Sequence, residues 1–188
     1  MRRTAACLPL LACLAAPATA GEVAALAAEG RTLIQGFAKS LKGELTAAID
    51  EGGPVNAIGV CHTRAPEIAE AASIGGWTVA RSSHRLRNPD NAPDAWTEAA
   101  IEDFLASQAE GTPAADLART EIVGEDGARV FRMAKAIPTA EVCLACHGGE
   151  KVTAEVEEKL AELYPQDRAR GFETGEMRGV FTLKKPLD

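Results

Sequence analysis

Histidine and cysteine are scarce in this chain: three histidines and five cysteines in 188 residues, with Cys7 and Cys13 both near the N-terminus. Outside one stretch around Ala145 there is no second Cys or His pair at ligand spacing, which excludes a four-ligand structural zinc site. Basic residues are outnumbered, 20 against 27 acids for a net charge of −7, and that balance excludes nucleic acid or an anionic membrane surface as the natural partner. Beyond Ala20 no apolar run approaches the ~18 uninterrupted residues of a spanning helix, so no membrane span is expected there. Repeats and low-complexity tracts are also missing from that part of the chain.

What is present begins with Arg2-Arg3, an apolar run from Ala5 to Ala16, and the small residues Ala18-Thr19-Ala20, the three parts of a secretory leader. The expected division is a signal peptide over 1–20 and a single domain over 21–188, exported to the periplasm. A second reading takes Leu10-Leu11-Ala12-Cys13 as a lipoprotein signal with Cys13 acylated, which leaves a very short apolar run. Cleavage after Ala20 removes two arginines and no acid, and it leaves the cysteines Cys61, Cys143 and Cys146.

Cys143-Leu144-Ala145-Cys146-His147, followed by Gly148-Gly149, is the attachment signature of a c-type haem: the two thiols add to the vinyl groups and the imidazole binds iron. On one helical turn, positions i, i+3 and i+4 share a face, so all three side chains address one cofactor. A thioredoxin-like dithiol requires a strand before the motif, and Ile137 to Val142 makes no clear core strand. With two cysteines used as thioethers, Cys61 is a leftover thiol, a liability in an oxidising compartment unless it is buried, bridged or bound to metal.

Read in order, Leu26, Leu33, Ile34, Phe37, Leu41, Leu45 and Ile49 predict a long amphipathic helix over 22–50, stopped by Gly52-Gly53. Pro54 opens a second helix with Ala57, Ile58, Cys61, Ala65 and Ile68 on one apolar face, and Pro66 is expected to kink or restart it. A short strand at 77–81 precedes a loop rich in turn residues. Asp94 caps a helix that places Trp96, Ile101, Phe104 and Leu105 inward and ends near Gly111. Residues 117–137 predict a hairpin around Asp126-Gly127, with Phe131, Met133 and Ile137 on one face of its second arm. Thr153 caps a helix to Leu163, and Met177 to Leu183 form a last strand. Helices first, then strands interrupted by helices, indicate an α+β domain with an antiparallel sheet, its strand order open.

Cys61, His62, His84, Met133 and Met177 are the candidates for the iron's second axial position, and the choice among them decides the chemistry. Cys61 is favoured by its apolar face and its status as the leftover thiol. Arg81, Arg85 and Arg87 form the densest basic cluster of an acidic chain and are candidate partners for the haem propionates.

Several stretches resemble a known family, the extracytoplasmic PAS-like c-type haem domains formerly filed as a domain of unknown function. They are Ile58 to Cys61, Arg81 to Pro89 with Asn91 to Asp94, Cys143 to Gly148, Tyr164 to Phe172 and Gly175 to Gly179. The resemblance implies a PAS-like fold, one haem c held covalently by Cys143 and Cys146, His147 as proximal ligand and Cys61 as the opposite ligand. It also implies a redox or sensory module acting on a redox partner protein or a membrane sensor. Family members fused to signalling domains differ from this chain, which has no room for a kinase.

The leading expectation is thus a non-enzymatic electron-transfer or redox-sensing module. The rivals are a nitric oxide or carbon monoxide sensor, in which the gas displaces Cys61, and a peroxidase-like enzyme that would use His62 or His84 as its acid-base residue. Thioethers survive acidified organic solvent and ligand bonds do not. Haem should therefore stay with the polypeptide on extraction with acidified solvent, and its quantitative release would rule out attachment at Cys143 and Cys146.

Overall fold

A computed structural model describes residues 19–187. The leader expected over 1–20 and the alternative lipid site at Cys13 lie outside that range, save for Thr19 and Ala20. Thr19 caps the first helix, its hydroxyl accepting from the Glu22 amide at 3.2 Å.

Helical residues run from Ala20–Ala72 (α1), folded into two arms at Gly52-Gly53. Gly53 has φ of 73°, a left-handed conformation that glycine adopts at low cost, and Pro54 follows as a helix starter. Asn56 donates its side-chain amide to the Ala48 carbonyl, one of the acceptors freed where the first arm ends. The arms run back along each other: Arg64 reaches Glu44 at 2.9 Å, although twenty helical residues would span about 30 Å if straight. Pro66 corrects one expectation. It leaves the second arm helical on both sides, because backbone departures within α1 are confined to the two glycines.

The remaining elements are β1 (Thr78–Ser82), α2 (Ala95–Ala109), β2 (Ala118–Glu125), β3 (Ala128–Pro138), the single turn α3 (Leu144–His147), α4 (Ala154–Leu163) and β4 (Met177–Leu187). The strands form one antiparallel sheet in the order β1-β4-β3-β2. Asp126 and Gly127, both with positive φ, make the tight turn between β2 and β3 whose twist matches the strands it joins. The α+β architecture with an antiparallel sheet, flanking helices and a long N-terminal helix is the expected one.

Both faces of β3 and β4 are buried. On one side Phe131, Met133 and Leu183 meet Ile34, Phe37 and Ile68 of the two α1 arms together with Trp77 and Val79. On the other, Ala134, Ala136, Met177 and Val180 meet Ala100, Ile101 and Phe104 of α2. A third cluster joins α4 to the second α1 arm through Ile58, Val156, Leu160 and Tyr164, with Cys146 half-buried against it. The turn from Cys143 to His147 is thereby packed onto the helix that carries Cys61.

The second α2 face is pinned by charge. Arg132, 2% exposed on the α2 side of β3, donates to both Asp94 oxygens at 2.7 and 2.8 Å and pairs with Glu125 at 2.5 Å. Asp94 also caps α2 through the Thr97 amide at 2.9 Å. Burial pushes its carboxyl up, but hydrogen bonds from Arg132, Lys184 and Thr97 outweigh that and hold it well below the usual carboxylate range. A depressed carboxyl contributes stability above pH ~4 that is lost as the pH falls toward its folded-state value. Asp94→Ala should lower stability in urea unfolding at pH 7 by about 1–2 kcal/mol, through a lost cap and the loss of one of the two carboxylates that neutralise Arg132. The gap to the parent should narrow at pH 3.

Candidate functional site

The second α1 arm presents Ala57, Ile58, Ala65 and Ile68 to the interior, and Cys61 lies half-buried on the same stripe. It faces a cavity of about 290 Å³ between this arm, the end of β1, the start of β4 and the turn that ends in His147. His147 lines the same cavity, as do Arg81, Arg87, Arg178 and Tyr164. Residues 86 positions apart in the chain are thus brought to one space by the packing of α4 and the turn on α1.

The turn itself begins with a 3-10 turn at Glu141–Cys143 and continues as α3, with Leu144 buried beneath it. Cys143 and Cys146 are free, half-buried thiols. Gly148 leaves the turn in extended backbone, where a Cβ would lie 2.6 Å from the Leu144 carbonyl oxygen. The following segment, Tyr164 to Phe172, folds back over the turn: the Gly171 amide donates to the Gly148 carbonyl and the Phe172 amide to the His147 carbonyl, both at 3.0 Å.

His147 Nδ1 lies 2.9 Å from the Ala169 carbonyl oxygen. A carbonyl only accepts, so Nδ1 carries the proton and Nε2 keeps its lone pair, the tautomer required of a metal-binding imidazole. Burial, then the fields of Arg178 and Arg87, hold the ring neutral, well below its usual range, against the opposing pull of the Ala169 carbonyl. Burial likewise pushes the Cys61 thiol up, and the surrounding Arg81, Arg87 and Arg178 only partly offset it.

The arginines divide into two kinds. Arg85 is paired with Glu176 at 2.7 Å and lies over the Phe172 ring, and Arg87 is paired with Asp167 at 3.2 Å. Arg81 has neither a hydrogen bond nor an acid partner among the described residues, and burial followed by repulsion from Arg178 brings it down to about 10. Arg178 is lowered for the same first reason, and its Nε is buried without a partner. Arg178 was not among the residues singled out from the sequence. Its one mark there is membership of the Gly175 to Gly179 stretch.

The other candidate ligands fall elsewhere. Met133 and Met177 are fully buried on opposite faces of the sheet. His84 lines a separate cavity of about 480 Å³ beside α2 and stacks edge-on against Phe172, whose ring also meets His147 edge-on. His62 is exposed, at the cavity rim, with its ring edge-on to Tyr164.

The model of the Tll0287-like family matches residues 16–186. The chain belongs to the Tll0287-like family. Among solved structures, it is similar to the crystal structure of the cyanobacterial haem protein Tll0287, with 24% identity and a TM-score of 0.58 over 91% of this chain and 98% of that one. This likeness shows that the Tll0287-like fold is shared across nearly the whole chain. No curated protein matches it.

Within this Tll0287-like turn, the two glycines differ in what surrounds them. Gly148→Ala drives a methyl group into the Leu144 carbonyl and should cost about 1–3 kcal/mol in denaturant unfolding. Gly149→Ala, where a Cβ meets nothing within 4 Å, should leave the midpoint unchanged.

Proposed function

We propose that this protein is an exported, periplasmic redox module that carries one haem c, attached through Cys143 and Cys146 and ligated by His147 and Cys61. The observation that carries the reading is the single cavity that joins a free thiol, a neutral imidazole with its Nε2 available, and two guanidinium groups lacking an acid. Membership of a family that includes a protein described as a haem protein supports it. The donor set also fits the group: two thiols for the vinyls, two axial donors, and Arg81 and Arg178 for the anionic propionates.

When bound, the haem supplies a one-electron couple at its iron. His147 is held in one tautomer by the Ala169 carbonyl and needs no proton loss to bind. Cys61 is different, since burial keeps its thiol protonated until a metal cation takes the proton's place. As a thiolate it favours the more positive, ferric charge state. Were haem bound, burial would still penalise the Cys61 thiolate when the positive charge beside it fell, which would make Cys61, rather than the neutral His147, the side chain that takes up a proton. A peroxidase-like reading asks for an acid-base imidazole within the cavity, and the positions of His84 in a different cavity and of His62 at the surface favour the redox module instead. The partner is a redox protein or a membrane-bound sensor. Among the described residues no helix is long and apolar enough to cross a membrane.

Cys61→Ser should leave the haem attached, change the ferric absorption spectrum from a thiolate-ligated low-spin form, and raise the reduction potential. His62→Ala and His84→Ala should do neither. An unchanged spectrum and potential in Cys61→Ser, with a change in the variant of His62, His84, Met133 or Met177, would assign the ligand to that residue.

A further inference from the structure

The Ala169 carbonyl that fixes His147 has a second donor. Arg87 places Nη2 at 3.2 Å from the same oxygen and at 2.6 Å from the Cys146 carbonyl, so one guanidinium edge grips both the haem turn and the loop that supports its imidazole. The arrangement is anchored by Asp167. Its Oδ1 accepts from Arg87 Nε at 3.2 Å and from the Ala169 amide at 2.8 Å, and its Oδ2 accepts from Arg170 Nε at 2.8 Å. With side chains only 16% and 6% exposed, Arg87 and Asp167 sit where solvent screening is weak.

A carbonyl that accepts strongly from an imidazole N–H shifts electron density onto the ring and makes its other nitrogen a stronger donor to metal. A cation on that oxygen draws the density the other way. We infer that Arg87 is a positioning residue that weakens His147 as an electron donor by sharing the Ala169 carbonyl, and so raises the reduction potential of the bound haem. The inference rests on His147 being an iron ligand, as proposed above. Arg81 provides the comparison, because it lines the same cavity with its charge but makes no hydrogen bond to the Ala169 carbonyl.

The test is made on haem-loaded protein, with the midpoint potential measured by spectroelectrochemistry and the ferric g-values by electron paramagnetic resonance. Arg87→Met should shift the ferric-to-ferrous ratio at a fixed applied potential about tenfold toward ferric, a fall of about 59 mV. The g-values should move with it, since the donor strength of an axial ligand has changed. Arg81→Met should lower the potential with wild-type g-values, the signature of lost charge alone. Arg87→Lys keeps the charge without the planar fork, and it carries the test if Arg87→Met does not take up haem. It should stay below the parent potential with the g-values displaced. Wild-type potentials in the Arg87 variants, or a lowered potential with wild-type g-values, would overturn the inference while His147→Ala still alters the spectrum. A spectrum unaffected by His147→Ala would overturn the ligand assignment and the inference with it.

Discussion

The antiparallel pairing of β3 with β4 is the constraint on which the rest of the molecule depends. It runs from Arg129 opposite Leu187 to Pro138 opposite Met177, where the register shifts. At that end the Thr139 amide donates to the Glu176 carbonyl and the Gly175 amide to the Thr139 carbonyl, both at 2.8 Å. The haem turn leaves from one of these strand ends and Arg178 stands at the other. Because both faces of the pair are covered, by the α1 arms and by α2, a one-residue slip would exchange the two apolar sets between cores of different shape, and the register is correspondingly firm.

Onto that fixed edge the chain hangs two loop segments, tied by side-chain and backbone hydrogen bonds rather than by ladders. The 83–94 loop is held by Ser83 donating to the Arg178 carbonyl at 2.7 Å and by the Arg87–Asp167 pair. The segment from Tyr164 to Phe172 is held by backbone bonds to Gly148, His147 and Leu86. Loops placed on a rigid scaffold are where binding residues concentrate, since they escape the alternation that a sheet imposes. Here they bring Arg85 and Arg87 to the cavity that His147 and the second α1 arm also line.

The electrostatics of the cavity are unusual for an acidic protein. Acids outnumber bases along the chain, yet Arg81 and Arg178 are left without one where burial penalises their charge. Both side chains are half-buried among the described residues, and a cation without an acid partner is costly in such a place. Arg85 and Arg87 line the same cavity but are neutralised by Glu176 and Asp167, so a cluster that looks uniform along the chain is divided between arginines with an acid partner and one, Arg81, without.

Local chemistry determined a large part of this protein. Asp126-Gly127 dictates a two-residue hairpin turn by its φ requirement, Asp94 a helix start by its cap, and Gly52-Gly53 a break, because each depends on residues at most a few positions apart. Pro66 was misread locally, since a helix packed along its length tolerates one missing hydrogen bond that an isolated one would not. The strand order, the sharing of one cavity by Cys61 and His147, and the division of labour among the arginines were decided by tertiary structure alone. Arg87 meets Asp167 across 80 positions and Ala169 across 82, and no periodicity in the sequence encodes such contacts. They follow from which apolar faces bury one another, and only the folded chain settles that.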